Sequence, residues 1–171
     1  HAPFDKMKDR MLINQDGLID YGIYYWEDTY PDTHLFADGD YIRKTYAPDF
    51  MLYHSMGIDE WGHIKGSESK EYAGAIAAAG EILSAYIPQW LEEGNDVVIT
   101  ADHGMNQLGM HGGSDAIQRD TPLYIFSDKV LKGRFDDEYI SQLNIAPLLC
   151  RLLEILPSDD MIQPNEIRGL L

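Results

Sequence analysis

Asp59 and His63 in G-I-D-E-W-G-H, and Asp102 with His103 in T-A-D-H-G-M, have the types and spacing to do chemistry. A carboxylate beside a neutral imidazole supplies the oxygen and nitrogen donors that hold a catalytic divalent cation. Four-residue spacing brings Asp59 and His63 to one side of a helical turn or compact loop. His111, in the Gly-rich run M-H-G-G, is a further candidate. Each pair also has a plainer reading. An aspartate at a strand end commonly serves as a turn or cap residue, and an acid with an imidazole in a loop is ordinary surface polarity. His54 reads as a hydrogen-bonded core imidazole, and Lys65 and Arg119 as solvent-exposed side chains near the motifs.

The elements that must position these residues follow from apolar runs. Val97 to Ala101 begins with a β-branched run, V-V-I-T, and predicts a strand buried on both faces, with Asp102 and His103 just past its carboxyl end. In open α/β sheets that end opens on the binding crevice. Asp49 to Ser55 predicts a second strand and Thr121 to Phe126 a third, with Pro122 near its start. Ser67 to Glu93 predicts one long helix, with Tyr72, Ile76, Ala79, Leu83, Tyr86 and Trp90 as its core stripe, Pro88 as a kink and Gly94 as its stop. Strand, helix and strand then form a right-handed βαβ unit that places Asp59, His63, Asp102 and His103 on the same edge of a mostly parallel sheet.

The flanks are less patterned. Residues 4 to 18 predict a short helix ending near Gly17, and Ile19 to Trp26 an edge strand or an insertion over the site. Ala37-Asp38-Gly39-Asp40 fails as a calcium loop, because His34 and Phe36 would occupy its first and third positions; Asp38 reads instead as the cap of a short helix through Tyr46, closed by Pro48. Lys129 to Glu138 is polar connection. Asn144 caps a last helix, Ile145 to Ile155, with Pro147 in its first turn, Pro157 beyond it and a surface tail from Ser158.

The bulk properties exclude several classes. A chain of 171 residues suits one domain, or a large part of one, and can bury a sizeable core. A net charge of -16 argues against a duplex nucleic-acid binder. Cys150, the one cysteine, sits among leucines as a structural thiol, so no intramolecular disulfide forms. No apolar run is long enough to span a membrane, and no secretory leader is present. These absences lean toward the cytoplasm, but the chain starts at His1 without methionine, so compartment and oligomeric state stay open.

With the residues assembled, the sequence resembles the alkaline phosphatase superfamily, and within it the type I phosphodiesterase and nucleotide pyrophosphatase family. M-G-I-D-E-W-G-H, T-A-D-H-G-M and H-G-G ahead of T-P-L-Y-I-F carry the resemblance, with N-I-A-P-L-L at Asn144 to Leu149 as a softer match. It covers about Ala47 to Leu156 and leaves residues 1 to 46 as a poorly matched lead-in. The motifs also look like those of ethanolamine-phosphate transferases. The resemblance implies an alkaline-phosphatase-like sheet flanked by helices and two divalent cations, zinc or manganese. One would be held by Asp59, His63 and His111, the other by Asp102 and His103 with an Asp and a nucleophilic Ser or Thr from an earlier strand. No strand followed by such residues precedes Asp49, and Thr29 and Thr33 lack that context. The expectation is therefore the C-terminal portion of a single catalytic domain whose parent acts on a small phosphodiester or nucleotide, by hydrolysis or by transfer, with the isolated chain nearly inert.

Overall fold

Proline and charge set the limits of the first long helix. The computed structural model describes residues 11–12, 20–25, 27–135 and 139–162. Helix α1, Asp32–Tyr46, starts after Pro31, whose extended backbone forms its N-cap, and ends where Ala47 enters the left-handed region at φ 46 ahead of Pro48. Asp32 in the first turn and Arg43 and Lys44 in the last complement the helix dipole. The helix starts well before Asp38. That residue lies inside it and accepts a hydrogen bond from the Tyr30 hydroxyl at 2.6 Å, so it is no cap.

The chain divides into two compact units, His1–Ser84 with Asp102–Thr121, and Ala85–Ala101 with Pro122–Leu171. In the first unit, β1 (Met11–Leu12) pairs antiparallel with β2 (Gly22–Ile23). Met11 and Leu12 are therefore extended where a helix was predicted; the rest of residues 4–18, and Trp26, lie outside the described residues. Residues 49–55 form no strand. They run as a chain laid on α1, with Tyr53 stacked on Phe36 at 5.1 Å between ring centroids and Leu52 77 % exposed. Gly39 admits that ring, since a Cβ there would collide with it. Without this strand the predicted βαβ unit does not form. Helix α2, Gly57–Lys65, follows, and then α3, Lys70–Glu92, whose N-terminus is capped by Ser69, its Oγ accepting from the Tyr72 N–H at 3.0 Å.

Helix α3 ends as its sequence predicts. Gly94 at φ 84 allows the Asn95 N–H to reach the Trp90 carbonyl at 2.9 Å and its own N–H to reach Leu91 at 3.0 Å, a Schellman closure. Pro88 lies inside the helix without ending it. The expected core stripe is only partly sunk: Trp90 is buried, but Ile76 is 48 % exposed. Among the described residues, no helix is long and apolar enough to cross a membrane.

In the second unit, β3 (Val97–Thr100) pairs with β4 (Leu123–Phe126), Val97 opposite Phe126 and Thr100 opposite Leu123, in antiparallel register. This corrects the expected parallel pair. A parallel partner needs a crossover that carries the chain back along the whole strand, usually on a helix. The stretch between β3 and β4 contains only the four-residue helix α4, Ala116–Arg119, so the chain returns in the opposite sense. The fold is mixed α and β. Helix α5, Ile145–Leu152, packs Leu148 and Leu152 on Val98, Ile125 and Ile140. Asn144 stands at its N-cap position but makes no side-chain cap; its amide donates to the Ser141 carbonyl at 3.2 Å instead. Pro147 occupies the first turn, and Cys150 is a buried free thiol. Lys129 bonds the Leu152 carbonyl at 2.6 Å and pairs with Asp96 at 3.2 Å and Glu154 at 3.5 Å.

Candidate metal centre

Helix α2 presents Asp59 and His63 on one face, as their spacing predicts, with His63 Nε2 3.3 Å from Asp59 Oδ2. Both ends of this helix are held by other segments. At the start, its N-cap Met56 makes no side-chain cap, and the Asp32 carboxylate from α1 accepts the Gly57 N–H instead. Burial raises the Asp32 carboxyl above its ordinary range, and the Gly57 bond opposes that rise. Within the helix, Gly62 leaves a notch for Met105: a Cβ would lie 2.8 Å from its methyl carbon and 3.2 Å from the Tyr72 ring. Thus the buried Met105 of T-A-D-H-G-M docks on the helix that carries the first acid–imidazole pair.

At the far end of α2 the Gly-rich loop closes over the last turn. Gly109, at φ 73, lies against the Gly62 and His63 carbonyls, and Gly66, at φ 80, against the Gln107 carbonyl, where in each case a Cβ would collide. Asn106 shapes the loop by accepting the Leu108 and Met110 N–H groups on Oδ1 at 2.9 and 3.0 Å. His63 Nδ1 lies 2.8 Å from the Gly109 carbonyl. A carbonyl only accepts, so this nitrogen carries the proton, and in the neutral ring Nε2 keeps its lone pair on the Asp59 side. His103 is arranged in the same way. Its Nδ1 donates to the Gly104 carbonyl at 3.0 Å, leaving Nε2 3.8 Å from Asp59 Oδ1 and 3.6 Å from Asp102 Oδ2.

His111 completes the group. Its ring stacks on His103 at 3.8 Å and lies 5.0 Å from His63. Asp59, His103 and His111 each offer one ligand atom, all within 4.8 Å of one another. The family resemblance divides these residues between two cations, yet Asp59 stands beside imidazoles from both sets. The donor set fits a divalent metal. Asp59 Oδ1 is buried with no hydrogen-bond partner and faces an imidazole nitrogen, an arrangement that a bound cation would satisfy. The Tyr72 hydroxyl is pushed above its ordinary range by burial and by the Asp59 charge. Asp102 is exposed, and it accepts the His103 N–H on Oδ1 at 3.1 Å. His54 is exposed, and its carbonyl accepts from the Tyr25 hydroxyl at 2.6 Å, so it is no core imidazole; burial first, then Asp32 and Asp28, push that hydroxyl up to about 12. Lys65 and Arg119 are exposed as expected. Asp32 and the Gly62 notch had no signal in spacing, since one acts on the Gly57 backbone N–H and the other through packing.

A helix-borne Asp-His pair beside two loop imidazoles makes a candidate metal site, and the sequence comparison supplies the family. The chain belongs to the type I phosphodiesterase / nucleotide pyrophosphatase family, within the alkaline phosphatase superfamily, with residues 7–143 matching the family model. That match extends into the lead-in segment ahead of the motifs. Among curated relatives, the chain is 29 % identical over 108 residues to GPI ethanolamine phosphate transferase 3, catalytic subunit, of Mus musculus, covering 61 % of this chain and 10 % of that protein. It is 35 % identical over 86 residues to GPI ethanolamine phosphate transferase 2 of Saccharomyces cerevisiae, 48 % of this chain and 10 % of the relative. With GPI ethanolamine phosphate transferase 2, catalytic subunit, of Homo sapiens it shares 22 % identity over 166 residues, 91 % of this chain and 17 % of that protein. The chain thus spans between a tenth and a fifth of the length of these relatives. No solved structure matches it significantly.

Proposed function

We propose that this chain carries a divalent-metal centre for transfer of a phosphodiester-linked group to an alcohol acceptor, as in an ethanolamine phosphate transferase. The observation that carries the reading is the buried, unpartnered Asp59 Oδ1 among His63, His103 and His111. Asp59, His63 and His111 would hold one zinc or manganese ion, and Asp102 and His103 part of the shell of a second. Cations so placed would offset phosphate charge and lower the pKa of an attacking hydroxyl. Within the chain, the carbonyls of Gly109 and Gly104 fix the proton on Nδ1 of His63 and His103, keeping Nε2 of each ring free to bind. The relatives named above favour transfer over hydrolysis.

Hydrolysis is the second reading, favoured by the family's description. The two differ in the acceptor, water or an alcohol, and a shared scaffold does not decide it. The test gives the full-length protein zinc or manganese, a phosphoethanolamine diester and an excess of alcohol acceptor, and follows products by phosphorus NMR. A new diester that depends on the metal and disappears in His63→Ala supports transfer. Phosphoethanolamine monoester released whether or not acceptor is present would assign hydrolysis instead. No metal-dependent turnover of either kind would reject both.

A further inference from the structure

His103 and His111 stand at opposite ends of a Gly-rich loop, yet their rings stack at 3.8 Å with 12° between planes. Glycine-rich backbone loses the most conformational freedom on ordering, so something outside the loop must hold its two ends together. Gln118 on α4 makes a bond next to each ring. Its backbone carbonyl accepts the N–H of Gly104, the residue after His103, at 2.9 Å, and its side-chain amide donates to the carbonyl of Met110, the residue before His111, at 3.0 Å. We propose that Gln118 is the positioning residue that sets the separation of His103 and His111, and through it the metal affinity of the cluster. The proposal rests on the metal-centre reading above.

Three features support the assignment. Gln118 is 7 % exposed, so water does not readily replace a lost donor. Gly104 and Gly113 let α4 press on the loop from both sides: a Cβ on Gly104 would collide with the Ile117 carbonyl, and one on Gly113 with the Gln118 amide. The Met110 carbonyl has a second donor, the Asn106 N–H at 3.0 Å, but that bond closes the loop on itself and does not connect it to Gly104. Gln118 therefore spans the two imidazoles through one residue.

The test uses Gln118→Met, which keeps the side-chain length but cannot donate, and Gln118→Glu, which sets an acceptor against the Met110 carbonyl. Zinc affinity is measured by competition with a chromophoric chelator, the ligand field by the visible spectrum of the cobalt(II) form, and folding by the metal-free melting midpoint. We expect Gln118→Met to weaken zinc about tenfold and to alter the cobalt spectrum, and Gln118→Glu to weaken zinc further. A merely structural role would lower the midpoint and leave affinity and spectrum of the folded protein unchanged, which would overturn the proposal. Should the variants not fold, the unsubstituted protein decides: NMR signals of the Gln118 side-chain amide should move with zinc on the same saturation curve as the His103 and His111 rings, while those of Gln89 stay. Indifference of the Gln118 signals to bound zinc overturns the proposal alone. Failure of the unsubstituted protein to bind zinc removes the metal-centre reading and the proposal with it.

Discussion

A buried carboxylate oxygen with no partner costs roughly 1–3 kcal/mol, and Asp59 Oδ1 is such an atom. The cost makes sense where a cation is to be bound, because an acceptor already satisfied by hydrogen bonds would have to give them up. Stability and binding should then respond oppositely to one substitution. Asp59→Asn should raise the melting midpoint of the metal-free protein or leave it unchanged, and weaken zinc by at least tenfold. A variant that loses stability and keeps zinc would show Asp59 to be a structural acid. Charge elsewhere behaves in the ordinary way. Burial tends to raise the Asp40 carboxyl, but hydrogen bonds from Lys44 and Arg43, at 2.7 and 2.8 Å, outweigh it and hold the group below its usual 3.8. The folded state then binds its proton less readily than the unfolded chain does. Asp40 therefore adds stability that is fully present above about pH 4 and lost as pH falls through its lowered folded value. Urea midpoints between pH 5 and 2 should fall less in Asp40→Asn than in the unsubstituted chain.

At the scale of elements, α2 is placed by small residues more than by its own apolar pattern. Gly62 tests this, because two effects of known size oppose each other there. Alanine is the better helix former by about 1 kcal/mol, whereas forcing a methyl against packed neighbours costs about 1–3 kcal/mol. The neighbours at Gly62 are Met105 and Tyr72 within 3.2 Å; at Gly80 in α3, nothing lies within 4 Å. Gly80→Ala should accordingly stabilise by about 0.5–1 kcal/mol, and Gly62→Ala should destabilise and also weaken zinc, since Met105 follows the Asp102-His103 pair by so few residues. Denaturant midpoints decide; stabilisation at both positions would mean that Met105 moves aside without cost. The elements also show where patterning is legible. The Ser69 start and Gly94 stop of α3 and the Pro147 turn of α5 lie close to where local chemistry puts them. Residues 49–55 have strand composition, but Tyr53 finds its partner in Phe36 of a helix, and among the described residues no neighbouring strand takes up the backbone.

At the scale of the whole molecule, all five candidate ligands belong to one compact unit, while the Leu148–Leu152 core belongs to the other. A ligand present at a hundredfold excess over its Kd stabilises the state that binds it by about 2.7 kcal/mol. Zinc should therefore slow amide exchange in α2, and β3 and β4 should gain far less. Equal protection of both units would show that they unfold together. Calorimetry should give one tight zinc event, because Asp59, His63 and His111 can complete a three-residue site whereas Asp102 and His103 are only part of another. Two tight events of similar affinity would mean that the division of ligands is wrong.

What the sequence determined by itself was local: the i, i+4 placement of Asp59 and His63, the placement of Asp102 and His103 directly after a strand, the end of α1, the start of α5 and, within a few residues, both limits of α3. These follow from spacing and capping over a few residues, where the chain's own geometry leaves few choices. The family was legible for the same reason, since its motifs are short runs around the ligands. The sense of β4 was not, because an apolar run of a few residues pairs equally well in either direction and the segment that returns the chain decides between them. Nor was the grouping of His103 with His111 over Asp59. That arrangement involves Gln118, Gly104, Gly109 and Met105, whose contributions are a backbone carbonyl with a buried amide, two absent side chains and a buried methyl group, and such contributions exist only once the segments that meet have been brought together by the fold.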